Sequence, residues 1–401
     1  MKIKIRKSQL KIAILLMPFF TFALGYKWPF LGEVISTERY LFLAFLIIFT
    51  LSSKRIVSLI KEKTFIFLVL FYAVVNISTS INGEQIENSL QLMGYGVVPF
   101  LVFCKYWDKK NCMASILSGI DLSFSILIII NMFIMIIYPE GIYSTNSTGI
   151  PTPYYLFGGK NQMVAPLITG ICFFIESSYN KYNKLTNRAL IKIIICIGEI
   201  IFGGSTTGLV ITTMIMILLF IGEKRNKIIR TNISLISIVV LFVSIVILRM
   251  QNIFAFFIEK VLHKSLDLTN RTDIWDSALF SIDNNPILGT GVSSSLAGNV
   301  HLVLSYVEKD IFAHDMYLDI LVMGGICALS LFIIMIIIVK IEFDRGFTKY
   351  NELSFIWIGF WLYLLASLFD IYTGNYCMYI MIAYIVSQYN NKRMEDNNIY
   401  V

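Results

Sequence analysis

The sequence predicts an all-α, polytopic integral membrane protein, with about twelve transmembrane helices and one large extracytoplasmic loop. Three observations predict it. Hydrophobic residues make up 57% of the 401 and charged residues only 15%, with a mean hydropathy of +0.73; soluble domains carry about 25% charged residues. The apolar residues gather into continuous runs near the ~20 residues that a spanning helix needs. The runs do not alternate with period two, which excludes a barrel of spanning strands. Finally, Lys and Arg fall in short clusters between the runs rather than along them.

Taken in order, the basic start "MKIKIRKSQLK" followed by "IAILLMPFFTFALGY" resembles a signal peptide but has no evident small-x-small cleavage site. It reads as an uncleaved first span near 12–26, starting in the cytoplasm. Further spans read near 40–52, 64–79, 89–104, 115–138, 161–177, 189–203, 205–221, 231–249, 315–340, 353–371 and 375–389. The second and last are short, and so are tilted into neighbours or extended by flanking polar residues. With the N-terminus inside, eight of the 33 Lys and Arg lie outward: Lys27, Arg39, Lys160, Arg249, Lys260, Lys264, Arg271 and Lys309. The other 25 lie inward, a strong bias that sets the orientation and returns the C-terminus to the cytoplasm. The net charge of +7 is therefore topological; no basic stripe interleaved with aromatics points to nucleic acid. None of the six cysteines falls in an outward loop, so no disulfide framework is implied.

Two outward segments are long. Residues 139–160, "PEGIYSTNSTGIPTPYYLFGGK", read as irregular loop from their Pro, Gly, Ser and Thr content. Residues 250–314 form the large extracytoplasmic loop of a single 1–401 membrane domain. Within that loop Phe254, Phe257, Ile258, Val261 and Leu262 share a helical face, the pattern of a helix lying on the membrane surface. A second helix follows, with Asn270 as N-cap, Asp273 three residues on and an apolar stripe of Ile274, Trp275, Ala278, Leu279 and Ile282. Asn284-Asn285-Pro286 ends it, and "ILGTGVSSS" turns on Gly289 and Gly291.

Candidate chemistry gathers on the outward side. Of three histidines, His263 and His301 lie within the loop, whereas His314 sits where it re-enters the membrane. A neutral imidazole there can take a proton from a hydroxyl; an interfacial histidine bonded to a neighbouring loop is the plainer alternative. Asp315 and Asp319, spaced i, i+4, share one helix face. Capping and loop contacts suit them better than a metal, since acids near a helix N-terminus are favoured anyway. Arg271 presents a planar fork suited to phosphate or diphosphate, with Arg249 and Lys160 among the few other outward cations. The "LGTGVSSS" turn either offers amides to an anion or is simply tight. Glu199, inside an apolar helix, and Asp370, near the outward end of its span, either line a polar opening together or pair with loop cations.

The stretches "NRTDIWDSALFSIDNNPILGTGVSSS" and "FAHDMYLDILVMGGICALSLF" resemble the O-antigen ligase and polymerase superfamily. Arg271, Trp275, Pro286, Gly289, Gly291, His314, Tyr317, Leu318 and Gly325 match its motif order. "GGKNQMVAPLITG", 158–170, and "GGSTTGL" are similar to its Asn-containing span start and its Ser-Arg-Thr hairpin, although Thr206 stands where that Arg often does. The resemblance implies a membrane-embedded glycosyltransferase, without cofactor or metal, moving a glycan from an undecaprenyl-diphosphate carrier to a sugar hydroxyl. It implies His314 as base or acceptor-positioning residue and Arg271 on the diphosphate. Arg249 or Lys160 would supply the contact missing at Thr206, with Asp315, Tyr317, Gly289, Gly291 and Glu199 as further substrate contacts. The preferred activity is a repeat-unit polymerase for capsule, O-antigen or exopolysaccharide in the bacterial cytoplasmic membrane, with a chain-length regulator as possible partner. Richness in Lys, Ile and Asn hints at a low-GC genome and tilts toward a capsule or exopolysaccharide. The alternatives are a ligase delivering polymer to lipid A core, and a lipid-linked oligosaccharide flippase or transporter. The flippase fits less well because the polar residues crowd one side and no inverted repeat is evident. A structural scaffold leaves His314 and Glu199 unexplained.

Overall fold

The computed structural model describes residues 7–17, 44, 47–48, 56–107, 112–145, 152–221, 231–250, 271–293, 300–304, 307–311, 313–347, 354–370 and 376–396. Most of the second predicted span, the predicted surface helix through 254–262, Asn270 and His263 lie outside the described residues. Helices dominate: α1 (Lys7–Leu16), α2 (Ile56–Ile60), α3 (Lys63–Ile81), α4 (Ile86–Cys104), α5 (Cys112–Ile137), α6 (Val164–Tyr182), α7 (Asn187–Gly203), α8 (Thr206–Ile221), α9 (Thr231–Phe242), α10 (Arg271–Asn284), α11 (Met316–Phe347), α12 (Phe355–Ala366) and α13 (Tyr376–Asp396). This is an all-α membrane protein. Among the described residues three helices, Lys63–Ile81, Cys112–Ile137 and Met316–Gly346, are long and apolar enough to cross a membrane. Outer faces carry large apolar side chains such as Phe133, Ile194, Phe220 and Val239, each more than half exposed. In water such faces would be a liability; against lipid they are the stable choice.

The bundle is centred on α13. From Tyr376 to Ser387 every side chain is buried. Two of its polar groups bond to neighbours: Tyr72 and Tyr379 share a hydrogen bond of 2.6 Å, and Trp107 donates to Ser387 at 2.9 Å. The last span is thus longer than the predicted 375–389, and it tolerates polar residues because other helices surround it. The predicted hairpin between α7 and α8 is present: Gly204 takes a left-handed φ of 70° and ends α7.

Four features depart from the sequence reading. The 139–160 segment is not irregular but a three-stranded antiparallel meander, β1 (Tyr143–Thr145), β2 (Thr152–Tyr155) and β3 (Gly158–Gly159). Tyr143 stacks on its cross-strand partner Tyr154. Strands this short carry no readable period-two pattern. In the large loop a second pair, β4 (Val300–Leu304) and β5 (Val307–Ile311), forms an antiparallel hairpin. α9 passes into a π-helical turn, Val243–Ile247, just before Arg249. Finally, α11 is broken at Gly325, whose φ of 62° and ψ of −163° are non-helical.

Candidate active site

The first part of the site is built where the chain re-enters the bundle. His314 adopts a left-handed φ of 52°, uncommon for a residue with a Cβ. That twist delivers Asp315 to the N-cap of α11, where its Oδ1 accepts from the Tyr317 and Leu318 amides at 2.8 and 3.0 Å. One turn later Asp319 Oδ1 accepts from the Ala313 amide at 2.8 Å and holds the incoming strand over the first turn. Both aspartates are fully buried. The Met316 amide bonds to the Ser367 carbonyl at 2.9 Å, fastening the re-entrance to the end of α12. Just beyond, Asp370 presents Oδ1 to His314 Nδ1 at 3.8 Å; the imidazole is 39% exposed and the carboxylate 9%. The carboxylate therefore lies on the Nδ1 side of the ring, within ion-pair reach but beyond hydrogen-bond distance. Sequence reasoning noticed Asp370 as a polar residue near a span end, but not as the partner of His314, which lies on another element.

The second part is α10. Arg271 opens this helix half-buried. Trp275, fully buried, fixes the helix face. Arg249 reaches the same helix from the end of α9. Its guanidinium lies over the Trp275 ring at 5.1 Å and bonds the Thr272 carbonyl at 3.4 Å and the Asp276 carboxylate. Arg249 also holds a left-handed φ of 52°, directly after the π-helical turn. Strained backbone and π turns recur at functional sites. Two arginines thus share one helix, and nothing in the sequence signalled that Arg249 folds onto it.

The third part is the turn after α10, and it corrects an expectation. The Gly289 amide donates to Asn285 O at 2.9 Å, Thr290 to Val322 O at 2.7 Å, and Gly291 to Met323 O at 3.1 Å. In return the Ile326 and Cys327 amides, freed by the break, donate to Pro286 O at 2.9 Å and Ile287 O at 3.3 Å. The turn plugs the broken helix. Its amides are spent inside the protein and are not offered to an anion. Gly289 serves close approach instead: a Cβ there would stand 2.3 Å from the Val322 carbonyl oxygen.

Other sequence candidates fall into place differently. Tyr317 donates its hydroxyl to Leu364 O at 3.0 Å and meets Phe242 edge-on, so it ties α11 to α12 and α9. Lys160 is exposed on the turn after β3. Next to it Asn161 accepts from the Ser205 hydroxyl at 3.3 Å, which joins "GGKNQ" to the α7–α8 hairpin. Glu199 accepts from Asn131 Nδ2 at 2.7 Å, between α5 and α7. It pairs with neither Asp370 nor a loop cation, so the expected shared lining of Glu199 and Asp370 is replaced by two separate pairs. Among the described residues no cluster of three or more His, Cys, Asp or Glu is arranged to hold a metal ion.

Residues 191–333 match the family model described as O-antigen ligase. The matched stretch runs from α7 to the second half of α11, and contains Arg249, Arg271, the glycine turn, His314 and the helix break. No curated protein matches the chain.

Proposed function

We propose that this chain, which belongs to the O-antigen ligase/polymerase superfamily, joins undecaprenyl-diphosphate-linked oligosaccharide repeat units into a polysaccharide at the outer face of the bacterial cytoplasmic membrane. The observation that carries the reading is buried Asp370 at 3.8 Å from half-exposed His314, where the chain re-enters the bundle beside α10. In the reaction an acceptor sugar hydroxyl attacks the anomeric carbon of the donor glycan. Its proton passes to His314 Nε2. Asp370 orients the ring through Nδ1 and stabilises the imidazolium that forms. The bond from the anomeric carbon to the diphosphate oxygen breaks, and the carrier leaves as undecaprenyl diphosphate. Arg271 and Arg249 offset the growing charge on that leaving group. Arg249 stands in for the arginine absent at Thr206. Lys160, exposed on the turn after β3, and Glu199, paired with Asn131, are left out of this step, and a chain-length regulator remains a candidate partner.

His314→Ala and Arg271→Ala are expected to abolish polymer while lipid-linked single repeats accumulate, at unchanged protein level, seen by gel analysis of extracted carrier lipids. Normal chain length in either variant removes that residue from the chemistry. The ligase reading is favoured by the description of the matched family. It predicts the opposite accumulation, with finished polymer held on the carrier.

A further inference from the structure

We propose that Thr79, at the end of α3 and outside the family-matched stretch, is a positioning residue that sets the arginine helix α10 against the histidine re-entrance. This deepens, and rests on, the assignment of Arg271 and His314 above.

Thr79 is fully buried, and its hydroxyl does two things at once. It donates to Val75 O at 2.7 Å and accepts from the Val292 amide at 3.1 Å. Only a hydroxyl can serve both roles at one atom. Val292 directly follows the turn that plugs the α11 break. Gly291 lies flat on Thr79: its φ is 82°, and a Cβ there would stand 2.5 Å from Thr79 Cα. Nearby, Asn82 Nδ2 donates to Ser78 O at 2.8 Å and to Gly289 O at 3.3 Å. Three pieces of chain therefore interlock: the end of α3, the 286–292 turn and the two halves of α11.

The consequence follows from rigidity. α10 runs without interruption from Arg271 to Asn284 and hands over directly to the turn, so a displaced turn carries the whole helix with it. The first half of α11 begins at the His314 re-entrance and ends at the same clasp. The clasp is thus the shared anchor of the two parts of the site. A misplacement of about 1 Å can cost a reaction roughly 100-fold in rate while leaving ground-state contacts largely in place. Loosening the anchor should therefore lower kcat more than it raises KM.

The test uses full-length protein in native membrane or detergent, with lipid-linked repeats as substrate. Thr79→Val keeps the shape and removes both hydrogen bonds. It is expected to lower kcat roughly 10- to 100-fold with little change in KM, and to speed amide exchange across 286–293. Thr79→Ser is expected to restore both. Should Thr79→Val not accumulate, Asn82→Ala, which removes the side-chain bonds to Ser78 and to the Gly289 carbonyl but leaves the Thr79 hydroxyl in place, is expected to give the same pattern in weaker form. Wild-type kcat in a variant whose turn exchanges faster overturns the positioning role, as does a failure of Ser to restore kcat. Unchanged exchange overturns the clasp itself. The exchange measurement is independent of activity, so it still reads the clasp if Arg271→Ala and His314→Ala prove the functional assignment wrong.

Discussion

His314 carries two constraints in one residue. Its left-handed backbone is required for Asp315 to reach the α11 cap, and its ring is backed by Asp370. Replacing Asp370 with Asn keeps the size but offers an N–H where the ring nitrogen needs an acceptor, and so favours the wrong tautomer. Asp370→Asn is expected to reduce turnover roughly 10²- to 10⁴-fold at normal protein level, measured on purified enzyme. Glu199 invites a different substitution. Its Oε1 and the Asn131 Oδ1 are both buried without a hydrogen-bond donor, while the other atoms of the two head groups share one hydrogen bond. Gln at this position supplies an N–H for Asn131 Oδ1 while still accepting from Nδ2. Glu199→Gln is therefore expected to leave activity intact and to hold or raise the thermal midpoint in detergent. Glu199→Ala, which strands the Asn131 amide, should cost about 1–3 kcal/mol. Lost activity in the Gln variant would instead mark Glu199 as a substrate contact. Of these residues, Arg271 and His314 stood out in the sequence because motif order flanks them. The His314–Asp370 and Glu199–Asn131 pairings did not, because each joins elements far apart in the chain.

Among the elements, helices announced themselves by continuous apolar runs, and the α7–α8 hairpin by its glycines. The break in α11 gave no such warning. Gly324-Gly325 inside an apolar run reads as a tolerated blemish, since a broken helix leaves orphaned amides and carbonyls in the membrane. Only the partner turn makes the break stable, and the turn's fit becomes visible once both pieces are folded. Gly325 sits at a φ and ψ open essentially to glycine alone, and a Cβ there would stand 2.2 Å from the Ile287 carbonyl oxygen. Gly325→Ala should cost more than the about 1–3 kcal/mol of backbone strain alone, because the turn must also withdraw. The expected outcome is a lower thermal midpoint together with lost polymerisation. A variant as stable as the parent would mean that the break is not required. The meander of β1 to β3 escaped sequence reading for the opposite reason: Pro153, Gly158 and Gly159 look like breakers, and the strands are two to four residues long.

At the scale of the whole molecule, the two ends of the bundle differ in chemistry, and this asymmetry predicts its orientation. One end gathers His314, Asp370, Arg271 and Arg249. Ion pairs of another kind, Lys192 with Asp121 at 2.7 Å and Lys340 with Asp344 at 2.8 Å, lie toward the opposite ends of α7 and α11. The bias of Lys and Arg predicts that this second end faces the cytoplasm; the proposed reaction, which draws on lipid-linked glycans rather than nucleotide sugars, requires the same orientation. The described cysteines suit a labelling test, since five are buried and Cys327 is only partly exposed. Single cysteines are introduced at two exposed sites, Asp283→Cys on α10 and Glu395→Cys at the end of α13. A membrane-impermeant maleimide applied to intact spheroplasts is expected to label the first and to reach the second only after permeabilisation. Asp283 is a mild site, because an acid in the last turn of a helix opposes the helix dipole and its loss costs little. Reversed labelling would put His314 and Arg271 in the cytoplasm and remove the lipid-carrier reaction along with the orientation. Equal labelling of both positions from outside would contradict the odd number of crossings that the proposed topology puts between α10 and the C-terminus.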